Sequence, residues 1–160
     1  MPAYLGLGAN LGDPEATIRE ALRRLETKGL GKIIAVSSWY RTEPVGITGQ
    51  PWFINAAAAV ETGLGAAAFH AGLLSLEAEL GRPAARLPNG PRPIDLDLLL
   101  FDDQVISGQG LEVPHPRLHQ RRFVLTPLAE IAPQAVHPVL GKTILELLQT
   151  LTDPAVVEKI

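Results

Sequence analysis

The chain contains no cysteine. A disulfide framework and a thiolate-ligated metal centre are both excluded, and a reducing compartment is compatible with the composition. There is no excess of basic charge either: 14 Lys and Arg against 17 Asp and Glu give a formal charge of −3. That balance does not draw the chain as a whole to a phosphate backbone, so no nucleic acid partner is expected and any basic site has to be local. Long apolar runs are missing as well. The longest fall far short of the roughly 20 residues needed to cross a bilayer, and no membrane partner is expected. The opening Met1-Pro2-Ala3-Tyr4-Leu5-Gly6 lacks the basic segment followed by an apolar one that marks a secretory signal. The expectation is a cytoplasmic, stand-alone protein. At 160 residues it has room for one compact core, hence a single domain over 1–160.

What is there reads as an alternation of strands and helices. Ala3, Leu5 and Leu7 alternate with Tyr4 and Gly6, the pattern of a first strand whose glycines leave room for close approach to the backbone. Asp13 before Pro14 reads as an N-cap with proline at the first helical position, and Ile18, Ala21, Leu22 and Leu25 share one helical face until Lys28-Gly29. Lys32 to Thr42 predicts a strand, Glu43 to Trp52 a loop, and Phe53 to Thr62 a further strand. Phe69, Leu73, Leu76 and Leu80 recur at helical spacing within Ala66 to Leu80, and Gly81 supplies the stop. Residues 82–93 hold Pro83, Pro88, Asn89, Gly90, Pro91 and Pro93, which support neither a helix nor a central strand. A loop of that length in a compact domain fits a mobile active-site lid. Ile94 to Phe101 is the most apolar strand, followed by a turn at Asp102-Asp103 and a short strand near Val105. Phe123 to Ala132 predicts a helix interrupted by Pro127, and Thr143 to Glu146 has the form of a capping box that opens a last short helix. The order of elements implies an α+β fold.

The strongest chemical signal lies in the most apolar strand. Alternate strand residues share a face, so Asp95 and Asp97 point one way while Ile94, Leu96 and Leu98 point into the opposite layer. Two residue rises separate the acids by roughly 7 Å at the backbone, close enough for their carboxylates to share two ions about 3.5–4 Å apart. Hard oxygen ligands suit Mg²⁺, which is held by one or two carboxylates together with substrate phosphates. A solvated strand face whose acids block edge pairing is the other reading, and the pattern alone leaves both open. Arg82, Arg86 and Arg92 flank the pair, and Arg121 and Arg122 follow; they offer local charge for phosphates or are scattered surface arginines. His115 and His119 have helical metal-ligand spacing, but Pro114 and Pro116 argue against a regular helix and hence against a zinc site. Gly141-Lys142-Thr143 has the end of a P-loop but Val136 where an earlier glycine is required, and the Gly6 to Gly12 run misses the dinucleotide fingerprint.

Taken in order, several motifs closely resemble the bacterial 6-hydroxymethyl-7,8-dihydropterin pyrophosphokinases of folate biosynthesis. They are Gly6 to Asp13 (GLGANLGD), Ser38 to Gly46 (SWYRTEPVG), Gln50 to Asn55 (QPWFIN), Glu77 to Arg82 (EAELGR), Gly90 to Leu100 (GPRPIDLDLLL), Val113 to Pro116 (VPHP) and Arg121 to Pro133 (RRFVLTPLAEIAP). Each alone is modest; their joint order is specific. The resemblance implies a ferredoxin-like α+β monomer, with an antiparallel or mixed sheet and helices packed on it. It implies transfer of the terminal diphosphate of ATP to the pterin hydroxymethyl group, with release of AMP and participation of two Mg²⁺ ions. By the same resemblance Asp95 and Asp97 hold both ions, while Arg82 and Arg92 steady the transferred group. Glu77, Arg82, Arg92, Leu98, Leu111, His115 and Arg121 match positions near ATP, the two leucines through their backbone. Asn55 matches the position that bonds the pterin edge, Phe53 and Phe123 those that line or stack on its ring, and Thr42, Glu43, Pro44 and Val45 those that offer it backbone contacts. Without the resemblance, Asn55 and Phe123 read as a buried turn amide and a core aromatic.

The chain departs from the family pattern at Ala9, where serine is usual, and at Ala84 and Asn89, where an arginine and a tryptophan are often found. Pro83 and Pro88 stiffen the same loop. These departures bear on lid closure and arginine assistance rather than on the acid pair, and Arg86 could replace the missing charge. Two other functions fit a fold of this kind: a small-ligand sensor, which needs no paired carboxylates and consumes no ATP, and a phosphoryl or nucleotidyl transferase acting on another heterocyclic alcohol.

Overall fold

The first apolar alternation becomes the middle of a sheet. The computed structural model describes residues 1–43, 49–81, 93–108 and 110–160. In chain order these form β1 (Pro2–Ala9), α1 (Pro14–Thr27), β2 (Lys32–Val36), β3 (Tyr40–Thr42), β4 (Phe53–Glu61), α2 (Ala66–Glu79), β5 (Asp95–Phe101), β6 (Ile106–Gly108), β7 (Leu111–Val113), α3 (Arg122–Ile131), α4 (Ile144–Gln149) and β8 (Val157–Lys159), with a 3-10 turn at Leu118–Gln120 before α3. The main sheet runs β5-β1-β4-β3-β8, with β2 also on β4, and every pairing in it is antiparallel. Strands β6 and β7 pair separately. With β1 and β3 split by β4, this is the ferredoxin-like βαββαβ arrangement.

Alternation along the strands gives the sheet two apolar faces. Leu5 and Leu7 of β1, Ala58 and Val60 of β4, and Leu96 and Leu98 of β5 pack against Ile18 and Leu25 of α1 and Phe69, Leu73 and Leu76 of α2. On the other face Ala57, Leu99 and Leu100 meet Val124, Leu125 and Leu128 of α3 and Ile144 and Leu147 of α4. Local signals start and stop the helices where expected. Asp13 accepts the Ala16 amide at 3.2 Å, Thr143 and Glu146 form the reciprocal box at 3.1 and 2.9 Å, and Gly81 follows α2 with φ of 95°.

Two expectations need correction. The strand predicted over Lys32 to Thr42 is two strands, β2 and β3. Between them the Ser37 hydroxyl accepts the Ala57 amide at 2.9 Å, and the Ser38 amide turns out of the ladder to Glu130 of α3 at 2.9 Å. Nor does Pro127 interrupt α3, which runs through it. The ring removes a single donor, the one for the Phe123 carbonyl, and the buried stripe of Val124, Leu125 and Leu128 holds the helix on the sheet regardless. The loop expected over 82–93 lies, apart from Pro93, outside the described residues.

Helix α3 is also tied to β3, because buried Tyr40 donates its hydroxyl to Glu130. Burial, and then the hydrogen bond and charge of that carboxylate, push the Tyr40 hydroxyl up to about 12. The burial of Glu130 acts to raise its carboxyl, but the hydrogen bonds from Tyr40 and Ser38 prevail and hold it low. An unfolded tyrosine titrates near about 10. The stabilisation is therefore complete below that pH and is lost as pH climbs from there to about 12. Urea denaturation across that window should show wild-type stability falling, and Tyr40→Phe should flatten that part of the decline.

Candidate active site

Strand register assembles the site. In the ladders of β1, Gly8 stands opposite Asn55 on one side and Asp95 on the other, and Gly6 opposite Ala57 and Asp97. Residues directly opposite share a face, so this face of the sheet carries two carboxylates on edge strand β5, two glycines on β1, and Asn55 on β4. Thr42 of β3 pairs with Phe53 and extends the row. With no side chain at its middle, the row is a trough. The start of α3 and the turn before it roof it over, leaving a cavity of about 320 Å³ lined by Gly6, Gly8, Thr42, Glu43, Phe53, Asn55, Asp95, Asp97, Arg117, Gln120, Arg121, Phe123 and Asp153, among others.

Each wall is fixed by specific bonds. Asn55 is buried and donates from Nδ2 to Thr42 Oγ1 at 2.7 Å. Its Oδ1 lies over Gly8, where a Cβ would come within 2.6 Å of it. Asn10, buried at the end of β1, donates to Gln50 Oε1 (2.9 Å) and the Pro51 carbonyl (3.0 Å), holding the approach to β4. On the far wall the Arg121 guanidinium carbon sits 5.5 Å from the centroid of the Phe123 ring. Behind the acid pair, buried Glu77 of α2 accepts the Leu96 amide at 2.8 Å and so closes the open edge of β5.

The structure thus brings Thr42, Glu43, Phe53, Asn55, Asp95, Asp97, Arg121 and Phe123 to one cavity. Glu77, Leu98, Leu111 and His115 do not line it. Leu98 and Leu111 belong to the core beneath β5, and His115 stands beside that strand with its amide on the Leu99 carbonyl at 2.9 Å. The His115 imidazole is held below its usual range, by burial first and then by the charge of Arg121, with Asp95 opposing and Arg117 reinforcing. Its Nδ1 accepts the Arg117 amide at 3.2 Å, so near neutrality the ring is uncharged and its Nε2–H is a donor. Arg82, Arg92, Pro44 and Val45 lie outside the described residues. Arg117, Gln120 and Asp153 also line the cavity; none carries a local sequence motif, and their place there comes from folding alone.

The carboxylates fit a hard divalent metal. Among the described residues no three His, Asp or Glu side chains gather into a cage that could hold an ion unaided. Two half-buried carboxylates on one strand face form an incomplete set of hard oxygens, the set that binds Mg²⁺ when a phosphorylated substrate completes the coordination.

The split βαβ sheet and its layers place the chain among ferredoxin-like α+β domains. Residues 4–133 match the family described as 7,8-dihydro-6-hydroxymethylpterin-pyrophosphokinase (HPPK), and the chain belongs to that family. It is similar to the 2-amino-4-hydroxy-6-hydroxymethyldihydropteridine pyrophosphokinase of Methylorubrum extorquens, 43% identical over 158 residues that cover 99% of this chain and 98% of the relative. The enzyme of the same description from Bacillus subtilis is 42% identical over 132 residues, covering 82% and 78%. Among solved structures, Plasmodium falciparum HPPK-DHPS with pteroate is similar at a TM-score of 0.74 and 19% identity, a likeness of fold. The alignment covers 92% of this chain and 42% of that one, so the chain spans about two-fifths of the length of that protein.

Proposed function

We propose that this protein transfers the terminal diphosphate of ATP to the hydroxymethyl group of 6-hydroxymethyl-7,8-dihydropterin, giving AMP and the pterin diphosphate in folate biosynthesis. The observation that carries this reading is the register of β1, which sets the Asp95 and Asp97 carboxylates and the Asn55 amide on one trough. One end of that trough suits metal and phosphate, the other a flat, hydrogen-bonding heterocycle. Asn55, oriented by Thr42, presents its amide to the pterin edge, and Phe53 and Phe123 offer apolar faces to the ring. Asp95 and Asp97 would hold two Mg²⁺ ions, which would supply positive charge to offset the negative charge that develops on the phosphates in displacement. Arg121 faces the same space with a fixed positive charge, and the neutral His115 beside β5 can donate to a nucleotide oxygen. Arg82 and Arg92 flank the acid strand in sequence and are assigned to the transferred group. Glu77 supports the site by fixing β5, and Leu98 and Leu111 underlie the nucleotide side. The reading includes a cytoplasmic monomer; no helix among the described residues is long and apolar enough to cross a membrane.

The test is product analysis with purified protein, Mg²⁺ and ATP, with and without the pterin. The expected result is AMP formed only when pterin is present, in equal amount to the pterin diphosphate. ADP in place of AMP would indicate a different phosphoryl transfer, and no product from a folded, ATP-binding protein would favour the sensor.

A further inference from the structure

Helix α3 begins against its own electrostatics. Arg121 is its N-cap and Arg122 its first residue, and the Arg121 side chain caps no amide. Cations at this end of a helix oppose its dipole, and the first amides need acceptors from outside. One acceptor comes from a distant part of the chain. Asp153 Oδ2 takes the Arg122 amide at 3.0 Å, while Arg122 donates from Nε to the Asp153 carbonyl at 3.1 Å and from Nη2 to the Leu151 carbonyl at 3.3 Å. The other Asp153 oxygen accepts the Ala155 amide at 3.0 Å. Both carboxylate oxygens therefore hold backbone, at the border of the cavity.

The same segment continues to the opposite wall. The Val156 amide donates to Glu43 Oε1 at 3.0 Å and the Glu43 amide to the Val156 carbonyl at 3.4 Å. Strand β8 then pairs with β3, and Arg41 joins Glu158 across it at 2.7 Å. One wall of the cavity carries Thr42 and Glu43, the other Arg121 and Phe123, and residues 153–159 are bonded to both. This segment lies beyond residues 4–133, the part matched to the family.

We propose that Asp153 is a positioning residue for pterin binding: as a remote cap on α3 it fixes the first turn that carries Arg121 and Phe123, and with β8 it sets the spacing between the cavity's two walls. The assignment to pterin rests on the pyrophosphokinase reading of the cavity; the cap itself does not. Without the carboxylate, two like charges stand at the positive end of α3 with an amide unsatisfied, and the turn frays.

The experiment compares Asp153→Ala, Asp153→Asn and Thr143→Ala with wild type. Thr143→Ala removes the capping box of α4, away from the cavity, and serves as a control for lost stability alone. Asp153→Ala is expected to raise the pterin KM and Kd about tenfold, the scale of a lost cap, with kcat changed less than about threefold. Asp153→Asn keeps an acceptor oxygen and should recover part of the affinity. Hydrogen exchange of the 122–124 amides should quicken in Asp153→Ala and not in Thr143→Ala. Wild-type pterin affinity in folded Asp153→Ala, or the same loss in Thr143→Ala, would overturn the proposal. If wild type itself binds no pterin, the pyrophosphokinase reading has failed; the exchange data then decide the cap, and unchanged protection at 122–124 sinks it. Should Asp153→Ala not fold, Asp153→Asn is read by the same criteria, with a smaller effect expected.

Discussion

Asp97→Ala is expected to reduce AMP formation by at least about 10³-fold, since a metal ion on a phosphoryl group supplies several kcal/mol of transition-state stabilisation and each 1.4 kcal/mol is a factor of ten. The fold should survive. Asp97 is half-buried and faces the trough, while the core contacts of its strand are made by its neighbours, Leu96 and Leu98 in one layer and Leu99 and Leu100 in the other. Urea denaturation should therefore still show a single cooperative unfolding transition. Asp97→Asn separates charge from shape: it preserves volume and polarity, and activity should collapse in it as well, with no full recovery at high Mg²⁺. Activity within threefold of wild type in Asp97→Asn across a Mg²⁺ titration would remove the acid from the metal site.

Gly8→Ala should cost about 2–3 kcal/mol of pterin affinity, roughly 30- to 150-fold, while ATP affinity stays within about twofold. A Cβ at Gly8 would lie 2.6 Å from Asn55 Oδ1, closer than such contacts allow. The amide cannot simply step aside, because it is buried and bonded to Thr42 at 2.7 Å. It either breaks that bond or turns the edge that the proposed function assigns to the heterocycle. Gly6→Ala is the matched comparison, since its Cβ would meet Leu99 at an ordinary 3.5 Å; it should lose less than about threefold in affinity. Separate fluorescence titrations with pterin and ATP read both. Equal effects of the two alanines would mean that Asn55 is not what Gly8 protects.

These two residues also mark how far the sequence could be read. The period of two in Ile94 to Leu100 is enough to put Asp95 and Asp97 on one face, since alternation is a property of any strand. The Asp13 cap and the Thr143–Glu146 box were legible for the same reason, as local chemistry within one turn. What the glycines of β1 face was not legible, because it depends on register with strands far along the chain. The break at Ser37–Trp39 has its cause in Glu130, and the cap of α3 has its cause in Asp153; neither partner is near in sequence. Strands β7 and β8 are three residues each, too short for a pattern, and exist by virtue of the strands they join. The continuity of α3 through Pro127 reflects tertiary packing overruling a local penalty.

The central position of β1 has a consequence for synthesis. The strand is made before either of its neighbours, which come from residues 53–61 and 95–101. At roughly 5–20 residues per second, one side of it waits on the order of 5–20 s for a partner. An apolar strand left open that long is a template for association with other chains. Gly6 and Gly8 lower its tendency to pair on its own. The glycines that hollow the trough in the finished protein therefore also make the nascent strand a weaker template for such association.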